Sequence, residues 1–143
     1  MSSLRSASEG RVVVTRCDGK LGPDELVELT AILERRAHEV SRPLLLVQLS
    51  SMRGGLSVHP IGRGDDGVFA RYATALRAHV EQVHALAPGL GLLGDALRGS
   101  WAIFTRRTSH PMFFHASVDE LVETLRARHG VEPAALRACI ARV

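Results

Sequence analysis

Histidine is the residue type of this chain with the most versatile chemistry, because imidazole binds metals and transfers protons near neutral pH. The 143 residues include seven histidines, but their spacing indicates neither role. No pair has the H-x-x-x-H spacing on one helix, and His79 and His84 fall on different predicted elements. His110 and His115 flank a predicted strand without a nearby cysteine or second carboxylate. We interpret the histidines as dispersed core and surface residues, and we expect no metal site and no cofactor.

Glycines with the spacing G-x-G-x-x-G occur twice, and this spacing lets a dinucleotide pyrophosphate approach the backbone at a helix start. The match at Gly62, Gly64 and Gly67 contains two aspartates, whose charge would repel phosphate. The match at 89–94 lies between a possible strand and a helix, but no acidic residue follows the next strand to hold a ribose. We interpret both as turn glycines, and nucleotide binding at the second stays open.

No residues pair an acid with a base at a spacing that indicates catalysis. Ser57 and His59 are neighbours in a predicted loop, but a nucleophile and its base must converge in space, which a spacing of two does not show. We therefore expect that the protein is not an enzyme.

Charge and composition limit the partners and the compartment. Eighteen basic and fifteen acidic residues are spread evenly, which gives no basic stripe for nucleic acid. Cys17 and Cys139 lie far apart and read as reduced thiols. The first ten residues are polar, unlike a signal peptide, and the apolar run Pro43–Val47 is too short to cross a bilayer. We expect a cytoplasmic protein.

The apolar pattern predicts alternating strands and helices. Strands are expected at 11–16, 44–49, 80–87 and 112–116, and helices at 23–40, 68–79, 90–107, 117–130 and from Pro133 onward. Residues 1–10 form a flexible N-terminus or an edge strand. The apolar run Leu44–Leu49, interrupted only by Gln48, is typical of a strand buried on both faces, at the centre of a sheet. The expected core includes Leu29, Leu45, Val47, Leu97, Phe114 and Leu121.

This alternation predicts an α/β fold with a single mixed, mainly parallel sheet of four to five strands packed with helices. The apolar side of helix 90–107, with Trp101 and Phe104, is expected to pack on the sheet. The alternatives are a partner helix or an anionic membrane surface, and we do not expect the membrane.

Three stretches carry a family resemblance. They are EGRVVVTRCDGKLGPDEL, with Gly19 before the first helix, the buried strand LLLVQLSS, and the ending HPMFFHASVDELVETL, where Ser117 opens a capping box. The chain from Ser8 to Arg128 thereby resembles the STAS domain, the fold of SpoIIAA-type anti-sigma factor antagonists. The resemblance implies a STAS-like domain over 8–130, followed by a C-terminal helical extension over 131–143.

What the resemblance implies is a non-enzymatic regulatory module that binds a protein partner, for which an anti-sigma factor-like kinase is a candidate. A homodimer stays open. In the family the central strand ends Asp-Leu-Ser and an Asp-Ser-Ser-Gly motif follows, whereas here the strand ends Gln48-Leu49-Ser50 and no Asp-Ser follows. We therefore expect a module without the usual serine phospho-switch.

The eighteen-residue loop 50–67, SSMRGGLSVHPIGRGDDG, is the expected contact surface, together with the start of the helix at Val68. Its candidate binding residues are Ser50, Ser51, Arg53, Ser57 and Arg63. The alternative function is a ligand-binding module that holds a nucleotide or a lipid between sheet and helices.

Overall fold

The computed structural model describes residues 4–17, 22–50, 66–86 and 112–143. Within these ranges five strands form one sheet: β1 Leu4–Glu9, β2 Val12–Cys17, β3 Leu44–Ser50, β4 Val80–Leu86 and β5 Met112–His115. The same ranges contain four helices: α1 Pro23–Glu39, α2 Asp66–His79, α3 Val118–His129 and α4 Pro133–Ala141. The predicted elements in these ranges are confirmed, with bounds shifted by one or two residues. The predicted helix 90–107 lies outside the described residues.

The strands lie side by side in chain order, from β1 to β5. β1 is antiparallel to β2, and each later pair is parallel, which confirms a mixed, mainly parallel sheet. β3 is the central strand, as its apolar run predicts. Of the two alternatives for the N-terminus, the structure has the edge strand.

A two-residue turn joins β1 to β2, because Glu9 pairs with Val12. Gly10 in this turn has φ 54°, a conformation that suits the twist of a tight hairpin and that residues with a Cβ rarely adopt. The guanidinium of Arg36 on α1 donates two hydrogen bonds to the Gly10 carbonyl oxygen, at 2.7 and 3.0 Å. The hairpin is thereby tied to the helix.

The two faces of the sheet are covered by different parts of the chain. α1 and α2 connect successive parallel strands that advance in one direction, so right-handed crossovers place both on one face. α3 and α4 pack on the other face, against the aliphatic side chains of β2 and β3. We call these the α1/α2 face and the α3/α4 face.

The predicted core residues within the described ranges lie in this packing. Leu29, Leu45, Val47 and Leu121 are fully buried, which confirms their assignment. Phe114 is only partly buried, which differs from its assignment to the core, and it lies on β5, one of the two outer strands of the described sheet. Leu97 lies outside the described residues.

One extra residue interrupts the pairing of β3 with β4. Leu44 pairs with Val80 and Leu45 pairs with Gln82, so Glu81 is a bulge between them. The bulge reverses the alternation of side chains at this point. Val80 therefore joins the core of the α1/α2 face, whereas Gln82 reaches α3 on the opposite face.

Both cysteines, Cys17 and Cys139, carry free thiols, as their separation in the sequence predicts. Across the described ranges, no helix combines the length and the apolar character that crossing a membrane would require.

Candidate functional site: a buried histidine network

The sequence-predicted contact residues fall mostly outside the described part of the chain. Ser50 is the last residue of β3 and lies beside Cys17, the last residue of β2. Ser51, Arg53, Ser57 and Arg63 lie outside the described residues. The structure therefore places one of the five candidates and does not test whether they form a surface.

A different group of polar side chains is brought together on the α3/α4 face of β4 and β5. In the parallel pairing of these strands, His84 lies opposite Phe113 and Leu86 lies opposite His115. His84 is fully buried and His115 is 5% exposed. Buried polar groups of this kind must find hydrogen-bond partners inside the protein, or each costs about 1–3 kcal/mol.

The two buried histidines are hydrogen-bonded to each other. Nδ1 of His84 lies 2.9 Å from Nε2 of His115. The other ring nitrogen of His84, Nε2, lies 3.1 Å from the side-chain oxygen Oε1 of Gln82, two residues earlier on the same strand. The His84 ring is thus held at both nitrogens.

Gln82 connects this pair to the end of α3 and to the start of β2. Its Oε1 also lies 2.9 Å from Nε2 of His129. Nδ1 of His129 lies 3.2 Å from a guanidinium nitrogen of Arg11. Arg11 is itself fixed by hydrogen bonds to Glu81, at 2.8 Å, and to the Pro43 carbonyl, at 3.3 Å.

Glu120 lies at the opposite end of this network. It stands in the first turn of α3, whose N-cap residue Ser117 accepts a hydrogen bond from the Glu120 backbone N–H. Oε2 of Glu120 accepts from the backbone N–H of Ala116. Oε1 of Glu120 lies 3.7 Å from Nδ1 of His115, which is too long for a hydrogen bond. The capping signal in the sequence thus positions a carboxylate beside a buried imidazole.

The partners determine which nitrogen of each histidine carries the proton. A guanidinium only donates, so Nδ1 of His129 accepts from Arg11 and its proton is on Nε2. That proton is donated to Oε1 of Gln82, which also accepts from Nε2 of His84. Nδ1 of His84 must then accept, so His115 donates from Nε2. One donor, Arg11, therefore fixes the direction of every bond as far as His115.

Burial keeps all three imidazoles in the neutral form. Loss of hydration lowers the pKa of His84 to about 4, with further lowering by His115, His129 and Arg128. Loss of hydration also lowers the pKa of His115, although Glu120 acts in the opposite direction. The pKa of His129 is lowered by desolvation first and then by Arg11.

An aromatic ring covers the network on the β5 side. The ring of Phe113 lies nearly parallel to that of His84, with centroids 5.2 Å apart, and the guanidinium carbon of Arg128 lies 5.1 Å from the centroid of Phe113. Arg128 thereby places a positive charge near the network without a hydrogen bond to it, which explains its contribution to the lowered histidine pKa values.

The chemistry that this arrangement supports is proton binding. Among the described residues, no three histidine, cysteine or carboxylate side chains are grouped so as to hold a metal ion. Nδ1 of His115 is buried and has no hydrogen-bond partner among the described residues, so it is the nitrogen of the network that keeps an unused lone pair there.

The interpretation of the histidines as dispersed residues is wrong for His84, His115 and His129, which the structure joins in one network. The prediction that His79 and His84 lie on different elements is confirmed, with His79 at the end of α2 and His84 in β4. The signal that points to the network is the pair Gln82 and His84 at alternate positions of one predicted strand, with His115 ending the next strand. Finding it also requires the bulge at Glu81.

Comparison with models of known protein families, with curated proteins and with solved structures gives no match to this chain. The resemblance to the STAS domain therefore stays a hypothesis from the sequence.

Proposed function

We propose that this chain is a non-enzymatic regulatory module of the STAS-like kind, which binds a protein partner at one edge of its sheet. The observation that carries the proposal is the arrangement at the carboxyl edge of the parallel strands. β3 ends there at Ser50, beside the end of β2. α2 leads directly into the start of β4, so it begins at Asp66 on the same carboxyl edge. The segment 51–65 thus joins two points of this edge.

The carboxyl edge of a mainly parallel sheet is where such folds usually bind their ligands. β4 and β5 also end there, since Leu86 pairs with both Leu49 and His115. α3 begins at the same edge, immediately after β5. Together with α1, which begins after β2, three described helix starts and the ends of the four parallel strands therefore lie at the edge where we propose that the partner binds.

The histidine network supports a structural role for the most chemically versatile residues described. His84 and His115 use each other and Gln82 as partners, and both are shielded from solvent. They are held in the interior, which agrees better with a binding module than with an enzyme that uses a solvent-accessible histidine.

Binding to a purified kinase of the anti-sigma factor type tests the proposal, and a kinase of this type encoded among the neighbouring genes would be the first choice. Calorimetric titration should show a complex, and Arg53→Glu and Arg63→Glu should each weaken it by about tenfold, or 1.4 kcal/mol. Arg35→Glu and Arg77→Glu are the matched controls, because these exposed arginines lie on α1 and in the last turn of α2, away from the carboxyl edge. Equal losses in all four variants, or no complex, would contradict the proposal. A small molecule retained in native mass spectra would instead support the ligand-binding alternative.

The expected absence of a serine phospho-switch has its own test. Ser50, Ser51 and Ser57 are each replaced by Asp and by Ala, and the affinity for the same kinase is measured. The two replacements should have similar small effects at each position, because the Asp-Ser motif of the family is missing. If one Ser→Asp change abolishes binding while the matching Ser→Ala change does not, the phospho-switch is present.

A further inference from the structure

When all three imidazoles are neutral, one junction of the histidine network has two acceptors and no hydrogen-bond donor. A neutral imidazole has one donor nitrogen and one acceptor nitrogen. Counting from Arg11, each junction as far as His115 has one donor and one acceptor. At the last junction, an unprotonated Nδ1 of His115 faces the carboxylate of Glu120, and two acceptors meet at 3.7 Å.

Moving the proton within His115 does not remove this mismatch. If Nδ1 carried the proton and donated to Glu120, Nε2 of His115 would face the acceptor Nδ1 of His84 at 2.9 Å. Two lone pairs would then face each other between two buried imidazoles, at a shorter distance and with less access to water than at the junction with Glu120. The network has a fixed donor at one end and a fixed acceptor at the other, and it is short of one proton whichever way the bonds are drawn.

We propose that the junction between His115 and Glu120 is a specific binding site for one proton, which locks the first turn of α3 to the end of β5. The added proton lies on Nδ1 of His115 and is donated to Oε1 of Glu120, while Nε2–H continues to donate to His84. Oε2 of Glu120 already accepts a hydrogen bond from the backbone N–H of Ala116. In the protonated state, the Glu120 carboxylate in α3 therefore binds both His115 at the end of β5 and Ala116 in the connection, at the carboxyl edge of the sheet.

Within the described part of the chain, the titratable and charged groups that face His115 come from two elements. On β4, His84 accepts its Nε2 proton and stays neutral at pH values well above 4. On α3, Glu120 favours the charged form, and Arg128 opposes it. Burial opposes it most strongly, so proton uptake is expected below pH 6.5. Both nitrogens of His84 are already engaged, whereas Nδ1 of His115 has a lone pair that faces a carboxylate, so His115 should take up its proton before His84 does.

The proton site does not depend on the proposed partner, so it is tested on the protein alone. Histidine labelled with ¹⁵N is followed by long-range ¹H–¹⁵N correlation spectra as the pH is lowered from 8. At neutral pH the proton of each buried histidine should be on Nε2. Below pH 6.5, Nδ1 of His115 should become protonated while His84 stays neutral. A neutral His115 that carries its proton on Nδ1, or a His115 that titrates together with His84, would overturn the proposal.

Two replacements of Glu120 separate a missing proton from a simple charge effect. Glu120→Gln supplies an N–H that can donate to Nδ1 of His115, so the network closes without an added proton. Glu120→Met removes the charge and supplies no donor. Both replacements should lower the pH at the midpoint of the His115 titration by about one unit. At neutral pH, only Glu120→Gln should shift the ¹⁵N resonance of His115 Nδ1 to that of a nitrogen that accepts a hydrogen bond. Asp119→Asn, in the same helix turn, is the control and should leave both unchanged. Identical Nδ1 resonances in the two Glu120 variants would overturn the proposal.

Discussion

Nδ1 of His84 and Nε2 of His115 lie 2.9 Å apart across two neighbouring parallel strands, and their ring planes are within 17° of each other. This contact joins β4 to β5 by side chains as well as by backbone pairing. Arg11, at the amino edge of the sheet, sets which atom donates at each step of the network, and this contact extends that order to the carboxyl edge.

Stability should fall as the pH is lowered below 6.5. Burial lowers the pKa of His84 to about 4, so between these values the unfolded chain binds a proton that the folded protein does not. Acid therefore favours unfolding, by about 1.4 kcal/mol per pH unit from His84 alone. His115 and His129 act in the same direction. Urea unfolding between pH 7.5 and 5.5 measures the effect.

The exposed His38 provides the control for this pH dependence. His38→Gln should give the same pH profile as the original protein, because its imidazole lies outside the network. A free energy of unfolding that stays level between pH 7.5 and 5.5 would contradict the neutral assignment of the buried histidines.

Replacement of Arg11 by Met should reverse the protonated nitrogen of every histidine in the network. Without the fixed donor, the amide of Gln82 can turn and donate its two N–H groups to His129 and His84. Each imidazole then carries its proton on Nδ1, and His115 donates to Glu120 without an added proton. The ¹⁵N spectra at neutral pH report this directly.

Arg36→Met is the matched variant for Arg11→Met. Arg36 binds the carbonyl of Gly10, next to Arg11 in the sequence, but it does not contact the histidines. Its removal should leave all three protons on Nε2. If Arg11→Met also leaves them there, Arg11 does not set the direction of the network.

Gln82→Met should lower the free energy of unfolding by about 2–4 kcal/mol at pH 7.5. The replacement keeps the length of the side chain and removes the oxygen that accepts from both His84 and His129, so two N–H groups lose their acceptor. Glu81→Gln, at the bulge beside it, removes the charge of a carboxylate that is 45% exposed but keeps an oxygen that can accept from Arg11, so it should cost less than about 1 kcal/mol. Chemical denaturation compares the two, and equal losses would place the stabilising contact elsewhere.

Leu45→Ala should cost about 2–5 kcal/mol, because it leaves a cavity at the centre of the sheet. Val27→Ala is its control, since Val27 is 56% exposed on α1 and its truncation should change stability by less than about 0.5 kcal/mol. Denaturant unfolding of both variants gives the comparison. A loss below about 1 kcal/mol for Leu45→Ala would show that β3 is not held as a central strand.

The elements were predictable from the sequence because their signals are local. The run Leu44–Leu49 is apolar without alternation, and only a strand covered on both faces needs that pattern. The start of α3 was equally clear, since Ser117 and Glu120 have the spacing of a capping box and Ser117 does cap the helix.

The histidine network was not predictable in the same way, because it depends on register. Gln82 and His84 alternate with apolar residues, which is also the pattern of a strand with one face in water. Their burial follows from the position of α3, whose His129 comes 47 residues after Gln82. The bulge at Glu81 then decides which face they occupy, and a single inserted residue leaves no periodic signal.

The division of the sheet into two faces has a consequence for the order in which the chain folds. The α1/α2 face packs β2 to β4 with helices that lie between those strands in the sequence, so it can assemble from residues 12–86. The opposite face buries Leu45 and Val47 beneath side chains from residues 118–143. Contacts over such a sequence distance are costly to close early. During synthesis, Leu45 and Val47 therefore lack the cover of α3 and α4 until these helices emerge, and apolar surface exposed at that stage favours aggregation of the growing chain.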